Sequence, residues 1–132
     1  MKKELTIKDQ QSASFSMKAR LKSFRYAFEG LNAFLSTQHN AIIHLLMTIA
    51  VFISAILFNI SKMEMIAIIV VTGFVWAAEL FNTAIEKLAD KVSKDPDPGI
   101  KFIKDVSAAA VLLASIAAFF TGAIIFIPKL LQ

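Results

Sequence analysis

Residues 63–90 read MEMIAIIVVTGFVWAAELFNTAIEKLAD, and the change of character inside this run decides the fold. From Met65 to Ala78 it carries no charge, and then Glu79, Asn82, Thr83, Glu86 and Asp90 follow at spacings of three and four. At about 100° per residue these five positions fall within roughly one third of a helix circumference, while Leu80, Phe81, Ala84, Ile85 and Leu88 take the other side. A helix of this length and apolarity can cross a bilayer, which takes ~20 residues. The run therefore describes a membrane helix whose last third bears three carboxylates, a carboxamide and a hydroxyl on one face.

Working outward, a second apolar stretch covers about residues 41–58 and a third about 106–127, with the first described run membrane-like over about 63–88. Backbone polar groups find no partner in lipid, so all three stretches are expected to be helices. The short connection at Asn59, Ile60 and Ser61 implies an antiparallel hairpin, and Pro128 is expected to end the third span. Upstream, Met17, Leu21, Phe24, Phe28, Leu31 and Leu35 form one stripe, with Lys18, Lys22, Arg25 and Glu29 on another. This predicts an amphipathic surface helix over about 16–36, drawn to anionic headgroups. Residues 1–14 read as a flexible polar tail, and 15–132 as a single membrane domain. The expected fold class is all-α integral membrane, a surface helix plus three transmembrane helices.

Composition agrees, since 57% of the 132 residues are hydrophobic against roughly 45–50% in soluble domains. The net charge is +4. Seven of the fourteen Lys and Arg precede residue 26, and five more fall between Lys87 and Lys104. Placing both clusters in the cytoplasm leaves only Lys62 and Lys129 outside, as the positive-inside rule favours. The layout argues for membrane topology and against a nucleic-acid partner, which would not require long apolar runs between its basic clusters. The chain has no cysteine, which excludes disulfides, thiol nucleophiles and thiolate metal sites. The polar first forty residues argue against a cleavable signal peptide, so the anchor is expected to be permanent.

The acidic face carries the chemistry. Asp90 and Glu86 near the cytoplasmic boundary could be a solvated helix end, but Glu79 lies about ten Å deeper by the ~1.5 Å rise per residue. A carboxylate at that depth is costly and usually functional. Desolvation suits a deep carboxylate to act as a general base toward a buried hydroxyl, whereas a shallower one with a carbonyl oxygen beside it suits Mg²⁺. Ser93-Lys94-Asp95-Pro96-Asp97-Pro98-Gly99 reads as a rigid polar turn. Lys104 alone reads as an interfacial lysine, yet beside a magnesium-holding carboxylate cluster a lysine for polyphosphate oxygens is expected. No glycine-rich phosphate loop occurs. His39 and His44 lack the spacing of paired metal ligands and read as interfacial, Trp76 as a packing or interfacial aromatic, and Ala110, Ala114, Ala118 and Gly122 as a helix-packing seam.

Three segments together resemble the prokaryotic diacylglycerol kinase family, which includes undecaprenol kinases. They are the stretch from Arg20 to Leu31, the core of Glu79 and Asn82-Thr83-Ala84-Ile85-Glu86 with Asp90, and Lys104-Asp105 followed by Ser107 to Leu113. The resemblance covers roughly residues 18–128. It implies a homotrimer in the cytoplasmic (inner) membrane, with active sites shared between neighbouring subunits, phosphorylating a lipid alcohol from ATP and Mg²⁺. By position, Glu79 resembles the general base and Asn82 the residue that orients it. Glu86 resembles the ligand of metal and nucleotide phosphate, Lys104 the phosphate-binding lysine, and Asp105 its neighbour in the nucleotide site. Arg20 and Tyr26 resemble nucleotide contacts from the surface helix, and Asp95 and Asp97 lie in the turn over the nucleotide. The chain departs from the family at Gln38, where many members carry a glutamate that shares the metal. Gln38 then stands as a neutral ligand in the metal and ATP site.

These features lead to the expectation of a kinase acting on diacylglycerol or undecaprenol. The alternative is a small non-enzymatic ion- or proton-conducting protein using the acidic stripe, against which Lys104-Asp105 and the acidic turn argue, since a pore has no use for a nucleotide site. A membrane scaffold with no site leaves Glu79 unexplained.

Overall fold

The computed structural model describes residues 16–131, so the tail expected over residues 1–14 lies outside them. Every regular element among the described residues is helical: α1 (Met17–Thr37), α2 (His39–Leu57), α3 (Lys62–Val92) and α4 (Pro98–Leu130). Among the described residues, those up to Ser36 form one compact unit and those from Thr37 onward a second. Within the first, α1 leaves Met17, Leu21, Phe24 and Phe28 exposed along one stripe, and Arg25 pairs with Glu29 one turn on at 2.7 Å.

In the second unit, α2, α3 and α4 are each long and apolar enough to cross a membrane. The α2–α3 connection satisfies its own backbone. Asn59 adopts a left-handed φ of 47°, the N–H of Ile60 bonds to Ala55 O and that of Asn59 to Ile56 O, the pattern by which a helix end closes its orphan carbonyls. Two residues later Ser61 caps α3, its hydroxyl accepting from the Glu64 N–H at 3.3 Å while the Glu64 carboxylate accepts from the Ser61 N–H at 2.6 Å. Both ends are thus closed without lipid or water.

α3 and α4 pack antiparallel as the main helix pair. The side-chain bonds between them run in opposite order along the two helices: Asp90 with Lys104, Asn82 with Ser107, Glu64 with Lys129. α3 buries Ile68, Val75, Glu79 and Ala89, and α4 buries Ser107, Ala114 and Ile125. Glu79 therefore continues the buried stripe of Ile68 and Val75, because seven and eleven residues return a helix to nearly the same face. On α2, Ala41 and Ala55 are buried.

Three expectations change. The polar turn is shorter than Ser93–Gly99, because the Asp97 carboxylate accepts from Gly99 and Ile100 N–H groups at 2.7 and 2.9 Å and Pro98 starts α4 with φ already suited to a helix. Pro128 does not end the third helix, which runs on to Leu130; the following Lys129 reaches Glu64 of α3 at 3.4 Å. The small-residue stripe is not one continuous seam within this chain: Ala114 is buried, Ala110 is exposed, and Ala118 and Gly122 line a cavity.

Candidate functional site

The site is built along one face of α3 and is completed by side chains from α2 and α4. Glu79 is 4% exposed, and its Oε1 lies 2.7 Å from His44 Nε2 on α2. One turn farther into the membrane, Thr48 donates to the His44 carbonyl oxygen at 2.7 Å and accepts from the Trp76 indole N–H at 2.9 Å. Two cross-helix contacts on successive turns thus fix how α2 meets α3 beside the carboxylate. The sequence reading of His44 as interfacial and of Trp76 as a packing or interfacial aromatic changes here: His44 meets Glu79 and Trp76 meets Thr48. A signal was present: Ala41, His44, Thr48, Val51 and Ala55 recur at three and four, a stripe of small and polar residues on an otherwise apolar helix.

One turn toward the other end of α3, Asn82 donates from Nδ2 to Glu86 Oε1 at 3.1 Å. Its Oδ1 lies 2.6 Å from the hydroxyl of Ser107, which is also 2.9 Å from Lys104 O, so one hydroxyl proton serves two acceptors. Asn82 is thereby held at both ends of its amide, with the acceptor end turned to α4 and the donor end to Glu86. In the sequence Ser107 figures only as the start of the run Ser107 to Leu113; in the structure its hydroxyl holds the acceptor end of the amide.

Beyond Glu86 the face becomes ionic. Lys104 of α4 pairs with Asp90 of α3 and lies within electrostatic reach of Glu86, while Lys101 pairs with Asp105 one turn along α4. Lys104 and Asp105, adjacent in sequence, therefore have different partners. Asp90, Asp95, Asp97, Lys101 and Lys104 border a surface depression of about 510 Å³. Within it the Asp97 carboxylate is the cap of α4, and Asp95 is tied to Ser93, whose hydroxyl accepts from the Asp95 N–H at 3.2 Å. A second cavity, of about 530 Å³, opens among α2, α3 and α4 next to His44, with Thr48, Val75, Trp76 and Phe119 in its walls.

The remaining site candidates are carried by other parts of the chain. Gln38 is the residue preceding α2, in extended conformation, and its amide donates to the Thr37 hydroxyl at 3.2 Å, so its carbonyl oxygen is the atom a cation would use. Arg20 and Tyr26 are on α1, where the Lys22 ammonium stands 5.6 Å over the Tyr26 ring.

Magnesium can be tested against this donor set. Among the described residues no group of three or more His, Asp and Glu side chains converges on a point. Glu86, with its neighbouring carboxamide, is the partial set suited to Mg²⁺, which commonly binds through one or two carboxylates and completes its shell with water and substrate phosphates. The residues present fit an ion that arrives with its nucleotide.

Residues 25–126 match the prokaryotic diacylglycerol kinase family. The chain is 37% identical over 113 residues to the diacylglycerol kinase of Synechocystis sp., a match covering 85% of this chain and 65% of that protein, so the chain spans somewhat under two thirds of that relative's length. It is 34% identical over 109 residues to the undecaprenol kinase of Bacillus subtilis, covering 83% of this chain and 89% of that one. With the family matched over most of its length and the carboxylate, amide and lysine drawn together by α3 and α4, the chain belongs to the prokaryotic diacylglycerol kinase family.

Proposed function

We propose that the chain is an ATP-dependent membrane lipid kinase that transfers the γ-phosphoryl group to the hydroxyl of diacylglycerol or undecaprenol. The observation that carries this reading is the buried Glu79 carboxylate, set in a membrane-length helix and joined through His44 to an apolar cavity. A soluble alcohol would have no need of either. In this mechanism the acceptor hydroxyl meets Glu79, which takes its proton as the oxygen attacks the γ-phosphorus. The bond between that phosphorus and the bridging oxygen breaks, its electron pair leaving with ADP. Asn82 fixes the face on which base and phosphate meet, and Lys104 turns from Asp90 toward the polyphosphate oxygens. Glu86, with Gln38, would hold magnesium, which supplies neutralisation of charge on the transferring phosphate.

The topology proposed with this function puts residues before α1 and the α3–α4 connection in the cytoplasm, where ATP is available, in the inner membrane. The exposed apolar stripe of α1 would lie in the headgroup region, Arg20 and Tyr26 would serve as the nucleotide contacts that the family resemblance assigns them, and the working unit would be a homotrimer.

The test is transfer of radiolabel from γ-labelled ATP to diacylglycerol, undecaprenol and ceramide by the purified protein. Labelled lipid is expected, and Glu79→Gln is expected to lower turnover by at least the ~10²-fold typical of a lost general base while leaving assembly unchanged. Turnover near that of the parent would remove Glu79 from the chemistry.

A further inference from the structure

The partner of Glu79 has a definite chemical requirement. An ionised carboxylate can only accept hydrogen bonds, so the 2.7 Å contact with His44 Nε2 calls for a hydrogen on that nitrogen. The two side chains are not equally enclosed: Glu79 is 6% exposed and His44 23%, with the imidazole bordering the apolar cavity. Thr48 and Trp76 tie the two helices together one turn away, so the imidazole meets the carboxylate by construction and not by side-chain drift.

Resting on the reading of Glu79 as the base, we infer that His44 is its positioning residue: an imidazole with its hydrogen on Nε2 holds Oε1 and turns Oε2 to the acceptor hydroxyl. His44 itself exchanges no proton with the lipid. The hydrogen bond supplies the donor that a carboxylate enclosed in a membrane span must have, and it fixes which oxygen is free to receive the proton. A glutamine at this position can place its own Nε2–H near the same point; a leucine cannot, although it suits an apolar span at least as well.

The experiment uses the full-length protein in lipid micelles and two readouts. The chain has two histidines, so ¹⁵N-histidine labelling of a His39→Gln protein leaves His44 as the sole labelled ring. Its nitrogen shifts are expected to show the Nε2–H tautomer, and to move when Glu79→Gln is added. In parallel, His44→Leu is expected to lower kcat by about tenfold to a hundredfold, the usual scale for loss of a supporting partner, with KM for lipid changed less than about threefold. His44→Gln is expected to recover most of that loss, a rescue that a purely packing role would not show.

The inference is overturned by an Nδ1–H tautomer, by ring shifts indifferent to Glu79→Gln, or by a His44→Leu enzyme with the parent's kcat. It is overturned equally by a His44→Gln enzyme as inactive as Glu79→Gln, which would put the imidazole itself at the hydroxyl. Absence of lipid phosphorylation by the parent would instead defeat the kinase reading, and the ring shifts would still decide whether the His44–Glu79 bond exists.

Discussion

Gln38 shows how one neutral residue changes the demands on its neighbours. Its carbonyl oxygen can join a magnesium shell but brings no negative charge, so an ion beside Glu86 would depend more on water and the ATP phosphates. Gln38→Glu would add an anionic donor to the magnesium set proposed with Glu86. The expected outcome is a lower Mg²⁺ concentration for half-maximal activity, with the preference among lipid acceptors unchanged. A magnesium titration of parent and variant at fixed ATP checks it, and superimposable curves would place Gln38 outside the metal shell. At the same scale, Asn82 and Ser107 show why residue type alone underdetermines a site. The carboxamide could have met either neighbour with either end; Glu86 Oε1 accepts from the Nδ2 end, which leaves Oδ1 to accept from the Ser107 hydroxyl on α4.

Among the elements, the α2–α3 connection is the most locally determined. Asn59 holds a φ of 47°, a conformation costing an ordinary L residue roughly 1–2 kcal/mol and a β-branched one more, whereas glycine enters it freely. Asn59→Ile is therefore expected to lower the thermal midpoint of the purified protein, and Asn59→Gly to leave it nearly unchanged. Ser61→Ala should cost about 0.5–2 kcal/mol through loss of the cap. Because this end of α3 is about 27 Å from Glu79 at ~1.5 Å per residue, kcat measured on the folded fraction should not change in any of the three. Unfolding followed by circular dichroism, alongside the lipid assay, separates the two effects. A fall in kcat without loss of stability would show that the connection is coupled to the site.

For the whole molecule, lengths and charges work together. α3 has 31 residues and α4 has 33, about 46 and 50 Å at 1.5 Å each, against a hydrocarbon core of ~30 Å. Both must project beyond the bilayer, and the basic residues from Lys87 to Lys104 favour the cytoplasmic placement of the projecting end proposed above. The chain's lack of cysteine makes this easy to test. Single cysteines at Ser12 and Ser93 should be shielded from an impermeant thiol reagent in intact cells, and one at Ser61 should react. The opposite pattern would put the Lys104 end out of reach of cytoplasmic ATP. Most of this was legible in the amino-acid order, because membrane helices follow from apolar length and the acidic face of α3 from spacing along one helix. The same local rules placed Glu79, Asn82 and Glu86 on one side of α3. They did not extend α4 back to Pro98, since that start depends on the Asp97 side chain folding onto its own backbone. The partners of these residues were decided only by tertiary structure: Glu79 with His44 thirty-five positions away, Asn82 with Ser107, and Lys104 with Asp90. Each depends on the rotation and register of one helix against another, and periodicity within a single helix carries no information about either.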